Sequence, residues 1–366
     1  MKISRWITAL ATSGVLLFAL PLTAMAAVSG NCSNCHTMHN SEEGKPVAYT
    51  RTSAGEINQS TQPLANLLRT DCVGCHTHGT ADTIRSEEGT RVPIVFNLME
   101  PTYPPNGSAT STLAGGNFHW MLTKGDRHGH NVTGIAAADG TLNHAPGWQA
   151  RSGECVSCHG TLADAQSGCA GCHVPMHHAA GSGVVAGQDH GWYRFLGSVM
   201  EVREGAAVPT QGVIGIEDPN WEQNPASDRH NVYQGKPGLY NDYLDTGSIG
   251  QKCAGCHGNF HSNVGEGSPW IRHPIDVAIP NKGEFVDFID YDPMVPVARL
   301  TVGSGDENFS QISRGSDMVT CISCHRPHGS PYPSMLRWGY RDWPGTDTHT
   351  NQPAWNGCAV CHTYKD

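Results

Sequence analysis

Long apolar runs are scarce in this chain. Trp6 to Leu22, centred on Val15-Leu16-Leu17-Phe18-Ala19-Leu20, is largely apolar, and nothing after it is long and apolar enough to span a bilayer. Lys2 and Arg5 precede the run, Pro21 closes it, and Ala24-Met25-Ala26 follows. That is the charged, apolar and small-x-small sequence of an export signal and its cleavage point. Residues 1–26 are therefore read as a signal peptide, and 27–366 as one exported domain with no transmembrane segment. No cysteine follows the cleavage point, which argues against a lipid anchor.

Ordinary core material is also short. Hydrophobic residues make up 38% of the chain, whereas 43 glycines and 23 prolines favour loops over long elements. Such a chain struggles to offset the entropy of ordering itself from its own side chains. Positive charge is in deficit, with 23 Lys and Arg against 33 Asp and Glu and a formal net charge of −10. This disfavours nucleic acid and anionic membranes as partners. The acidic clusters Glu42-Glu43, Glu87-Glu88 and Asp287 to Asp292 read as solvated faces.

A spare cysteine is missing too. All 14 fall in C-x-x-C-H pentads: Cys32, Cys35 and His36; Cys72, Cys75 and His76; Cys155, Cys158 and His159; Cys169, Cys172 and His173; Cys253, Cys256 and His257; Cys321, Cys324 and His325; and Cys358, Cys361 and His362. Structural zinc does not demand a histidine after every second cysteine. A disulfide framework would not generate identical pentads, and a thioredoxin-like redox pair would need one C-x-x-C rather than seven. Two thiols three residues apart can each add to one vinyl group of a single haem, with the following histidine beneath the iron. The chain is read as carrying seven covalent c-type haems, which supply the apolar surface that its side chains lack.

The 21 histidines leave fourteen beyond the pentads as candidates for the second axial position. His39, His177, His261 and His328 lie three or four residues past a pentad histidine, too close to fold back over their own haem but able to reach a neighbour. His130 and His230 stand in a repeated His-Asn-Val phrase, and His273 precedes Pro274. These are the expected distal ligands; His119, His178, His190 and His349 are substitutes, and His78, His128 and His144 complete the count. Imidazole on both faces closes the iron to small substrates, so the expected activity is electron transfer rather than enzymatic catalysis. The expected fold is mostly irregular, with short helices and few short strands wrapped around a chain of packed haems. Segment 63–70 is a candidate helix, and 91–97 a candidate strand.

The phrases CSNCHTMHNS (32–41), GGNFHWMLTKGDRHGHNV (115–132), GVIGIEDPNWE (212–222), WIRHPIDVAIP (270–280) and CISCHRPHGSPYPSMLRWGY (321–340) resemble the extracellular multihaem c-type cytochromes of metal-reducing bacteria, including filament formers. The resemblance implies bis-histidine haems in a continuous chain. It also implies head-to-tail self-association, with His39 ligating a haem of the next subunit. The favoured reading is an extracellular conduit passing respiratory electrons to metals or partner redox proteins. A monomeric periplasmic shuttle and a reductase of a small nitrogen or sulfur oxyanion are the alternatives. Pyridine-haemochrome and iron assays on the exported protein are expected to give seven haems per chain. Replacing both cysteines of any one pentad with alanine is expected to remove one haem.

Overall fold

The computed structural model describes residues 25–26, 28–36, 41–42, 45–46, 49–51, 57–59, 72–104, 112–142, 144–148, 162–163, 168–178, 180–181, 185–186, 192–203, 205, 209–237, 247–261, 273–307, 309–340 and 356–364. Glycine and proline keep its regular elements short. The helices are α1 (Cys72–His76), α2 (His119–Lys124), α3 (Val199–Arg203), α4 (Ile249–Ala254), α5 (Cys321–Cys324) and α6 (Gly357–Cys361). Four of them start or contain a pentad, and two further pentads begin in the 3-10 turns Cys32–Asn34 and Gly168–Gly171. Local signals start the pentad helices. Ser248 caps α4 by accepting from the Gln251 amide, Thr320 and Ser323 form a capping box on α5, and Asn356 accepts from Cys358 N at the start of α6.

The largest sheet joins six two- or three-residue strands in the order Val185–Ala186, Gly215–Ile216, Val232–Gln234, Val297–Arg299, Met318–Val319 and Val277–Ala278. Only the pairing of Val232–Gln234 with Val297–Arg299 is parallel; the others are antiparallel. The candidate strand at 91–97 is in fact broken. Thr90–Pro93 pairs with Ile84–Glu87, whereas Phe96–Asn97 runs parallel to Thr77–His78. Pro93 cannot donate to a ladder, and its carbonyl is taken by a histidine described below. The candidate helix at 63–70 lies outside the described residues. The strand Met25–Ala26, paired with Ala180–Gly181, lies ahead of the expected cleavage point. Of the acidic clusters, Asp287 and Asp290 are exposed, whereas Asp292 is half-buried with its carboxylate on the Met294 amide.

Three modest apolar clusters stand in for one core, and each is bounded by pentad cysteines. Ile279, Tyr291, Val297 and Trp338 pack beside Cys324, Cys358 and Cys361. Phe96, Phe118, Met121 and Ile135 pack beside Cys169, and Tyr193, Tyr233, Ile249 and Met318 beside Cys253. The protein interior is therefore divided around the places where haem would attach. Gly116 and Gly329 form a parallel bridge at one such division, and His328 N donates to Gly115 O at 2.7 Å. Gly329 has φ +137°, and a Cβ there would lie 2.6 Å from His128 O and 2.7 Å from Asn117 O. Gly329→Ala is therefore expected to destabilise the fold by about 2–4 kcal/mol. Thermal unfolding checks this, and an unchanged midpoint would contradict the close approach.

Candidate haem-ligand sites

One tight turn builds each pentad among the described residues. The histidine amide donates back to the first cysteine carbonyl at 2.8 Å for His36 to Cys32 and 2.9 Å for His173 to Cys169. The same bond measures 2.9 Å for His257 to Cys253, 3.1 Å for His325 to Cys321 and 2.9 Å for His362 to Cys358. Residues three and four apart share a face in such a turn, so both thiols and the imidazole emerge together. Pentads also meet one another: Cys321 hydrogen-bonds Cys253, which raises its pKa together with burial. Burial pushes the Cys324 thiol up to about 12, with Cys358 adding to the effect.

The imidazoles are oriented from behind. Nδ1 faces a backbone carbonyl in His76 (Pro93 O, 2.7 Å), His130 (Pro327 O, 2.7 Å), His173 (Arg194 O, 2.9 Å), His257 (Pro146 O, 2.6 Å), His273 (Pro274 O, 2.7 Å) and His325 (Ser334 O, 2.8 Å). A carbonyl accepts but never donates, so Nδ1 carries the proton and Nε2 keeps its lone pair for a metal. His362 Nδ1 has a carboxylate instead, Glu284 Oε2 at 3.1 Å. Four of the six carbonyls belong to prolines, and the other two to Arg194 and Ser334, which have φ +46° and +61°. Left-handed backbone at non-glycine residues is strained. Arg194 is held in it by Glu217, Asp218 O and Asn231 Oδ1.

Every histidine–histidine ring contact among the described residues joins a pentad histidine to one outside the pentads. The centroid separations are 6.2 Å for His36–His178, 6.4 Å for His76–His177, 6.1 Å for His173–His328, 6.2 Å for His257–His130 and 6.1 Å for His362–His273. Rings in direct contact sit closer, as His230 does over Tyr291 at 3.6 Å. A metal binds an imidazole nitrogen at about 2.0 Å, and the ring centre lies roughly 1.1 Å behind that nitrogen, so two imidazoles trans across one iron have centres about 6.2 Å apart. The residues present fit haem iron. Burial pushes His173 down to about 4 and His328 to about 3, and it lowers His76, His130, His177, His257, His273 and His325 in the same direction. Neutral imidazole is the ligating form.

Of the expected distal set, His130, His177, His273 and His328 each face a pentad histidine across this gap. His230 is placed differently. It is buried, with Nδ1 2.7 Å from Asn231 O and Nε2 2.9 Å from Phe309 O, so a backbone carbonyl stands against each ring nitrogen and no pentad histidine among the described residues faces it. His178, held only as a substitute, faces His36; the adjacent His177-His178 pair was the available signal. His119 is buried with Nδ1 on Asn97 O at 2.9 Å, His128 bonds Ser330 O, and His144 stacks on Trp148. His261 ends the 3-10 turn Gly258–His261, and its side chain lies outside the described residues. His39, Cys155, Cys158, His159, His190 and His349 lie outside them as well.

These motifs have the residues and the spacing with which c-type cytochromes attach covalent haem. Residues 314–366 match the family described as Doubled CXXCH motif. The chain is similar to C-type cytochrome OmcS of Geobacter sulfurreducens, at 23% identity over 401 residues, spanning 92% of this chain and 85% of that protein. A solved structure, the Outer Membrane Cytochrome S Filament from Geobacter sulfurreducens, aligns with TM-score 0.42 and 18% identity over 93% of this chain and 95% of that one. Among the described residues no helix is long and apolar enough to cross a membrane.

The lowered histidine pKa values set a pH dependence. A histidine with a folded pKa below the ordinary 6.5 stabilises the fold fully above that pH, and the contribution is lost as pH falls towards about 4 for His173 and about 3 for His328. Iron on the same nitrogens would move the loss lower still. Acid titration of the haem-loaded protein followed by the Soret band is therefore expected to leave the neutral-pH spectrum unchanged down to pH 6.5. Ligand release above that pH would contradict the buried, neutral sites.

Proposed function

We propose that the chain is an extracellular electron conduit, with seven covalent haems in a row and histidine on both faces of each iron. The observation that carries this reading is the set of five histidine pairs with ring centres 6.1 to 6.4 Å apart. On this reading His178 serves the first pentad, His177 the second, His328 that at 169–173, His130 that at 253–257 and His273 the last, and the ring separations support it. His261 and the His39 of a neighbouring copy complete the set for the pentads at 155–159 and 321–325. His230 is a packing residue rather than a ligand, since both its nitrogens face carbonyls.

Short lengths of backbone then join successive haems. His177 and His178, adjacent in sequence, tie the first two sites together. His173 and His177 lie one helical turn apart and tie the second to the fourth, while His325 and His328 tie the fourth to the sixth. The Cys253–Cys321 contact links the sixth to the fifth. Bound haem supplies one-electron exchange. The pentad and facing histidines would hold the iron and exclude substrate from it, and the polypeptide fixes their imidazoles through Nδ1. The acidic surface suits cationic redox partners or extracellular metals. Residues 27–366 form the mature domain, and the likeness of the CHTMH phrase to filament-forming cytochromes supports head-to-tail polymerisation through His39.

Electron paramagnetic resonance of the loaded protein is expected to show only low-spin iron. His178→Ala is expected to turn one site high-spin, and His230→Ala none. A high-spin signal in the wild-type protein would favour a reductase instead. Isolated monomers at high concentration in electron micrographs would sink the filament part and leave a shuttle.

A further inference from the structure

Arg337 is among the most deeply buried side chains of the protein, 2% exposed, and it is clamped to the pentad at 321–325. Its amide donates to Cys324 O at 2.8 Å, and its Nε donates to Ile322 O at 2.7 Å, a carbonyl between the two cysteines. The same segment carries Ser334 O, which holds His325 Nδ1, and Met335 O, which accepts from Arg326 N. Nη1 of Arg337 is buried with no hydrogen-bond partner in the protein. A side chain present only to brace the loop would be better neutral, because a buried guanidinium carries a large desolvation cost.

We propose that the Arg337 guanidinium is a fixed cation that raises the reduction potential of the haem held by Cys321 and Cys324. The inference rests on the reading above that this pentad carries a haem. A positive charge in a low-dielectric interior favours the iron state with one more electron. The transfer it biases moves one electron between neighbouring irons, one becoming ferric as the other becomes ferrous, with no proton or ligand exchanged. Arg337 is fixed against this pentad at two points, its amide on Cys324 O and its Nε on Ile322 O, so its charge is held beside the attachment segment. The surrounding charged groups are Arg326, which is buried and of like sign, the carboxylates of Glu222 and Asp292, and the buried carboxyl of Asp276, which acts on Cys321. Whatever their balance, removing Arg337 makes the site more negative. Cys321 contacts Cys253, and Cys324 lies close to Cys358 and Cys361. The raised site therefore adjoins the pentads at 169–173, 253–257 and 358–362 and forms a resting point for electrons where they meet.

The test is a redox titration of the loaded protein followed by proton nuclear magnetic resonance, with the haem in question identified by Overhauser contacts to Ile322. Arg337→Met is expected to shift that haem's ferrous-to-ferric ratio at fixed potential about tenfold towards ferric, the scale for a unit charge roughly 10 Å away at an effective dielectric of about 20. Arg337→Lys is expected to stay near wild type, and Glu222→Gln to shift the same haem the opposite way. Equal shifts in the methionine and lysine variants would overturn the proposal, as would no shift in the methionine variant. If the methionine variant does not load, the sign of the Glu222→Gln shift decides, and any result other than a move towards ferrous overturns it. A wild-type protein with no haem at Cys321 and Cys324 would instead refute the reading on which the proposal rests.

Discussion

A backbone carbonyl behind one imidazole nitrogen decides what the other nitrogen can do. In six of the candidate iron-holding histidines Nδ1 lies on such a carbonyl, at 2.6 to 2.9 Å, which leaves Nε2 as the nitrogen that could hold a metal. The rest of the fold serves this arrangement. Proline supplies four of the carbonyls, from loops whose missing N–H leaves the chain outside any ladder. Arg194 and Ser334 supply the other two from strained backbone. His230 shows the reverse case: with a carbonyl on each nitrogen, it becomes part of an aromatic stack with Tyr291 and Phe309.

The same logic explains why so little regular structure is present. A sheet of two- and three-residue strands and helices of at most six residues among those described cannot build a single large core. Three small clusters form instead, each ending on pentad cysteines. The polypeptide is organised as a set of brackets around the pentads, and one buried charge, Arg337, is fixed directly to the pentad at 321–325.

Much of this was legible in the residues alone. The pentads announce themselves because covalent attachment demands a fixed local spacing, and the scarcity of apolar runs foretold the irregular fold. The distal histidines were harder. His177 and His328 were traceable because they lie three or four residues past a pentad histidine, a local relation. The partnership of His130 with His257 is set by long-range packing that no local pattern reports. The spacing past a pentad histidine singles out His177 and leaves its neighbour His178 a substitute, yet each faces a different pentad histidine. His230 was chosen for a phrase it shares with His130, yet similar neighbours in sequence do not fix what the other ring nitrogen meets in space. Nor does sequence reveal left-handed backbone at Arg194 or the burial of Arg337, both of which depend on the finished packing.

The adjacency of His177 and His178 constrains how such a chain can vary over time. Loops elsewhere tolerate added residues, because closure entropy grows slowly with length. Between these two histidines there is no loop at all, and successive side chains diverge by a fixed angle. One residue inserted there would turn one imidazole away from its partner, whereas one deleted would leave a single histidine for two sites. The spacing between other pentads can drift, but here the register is quantised, and lineages of such proteins can lengthen only on either side of it.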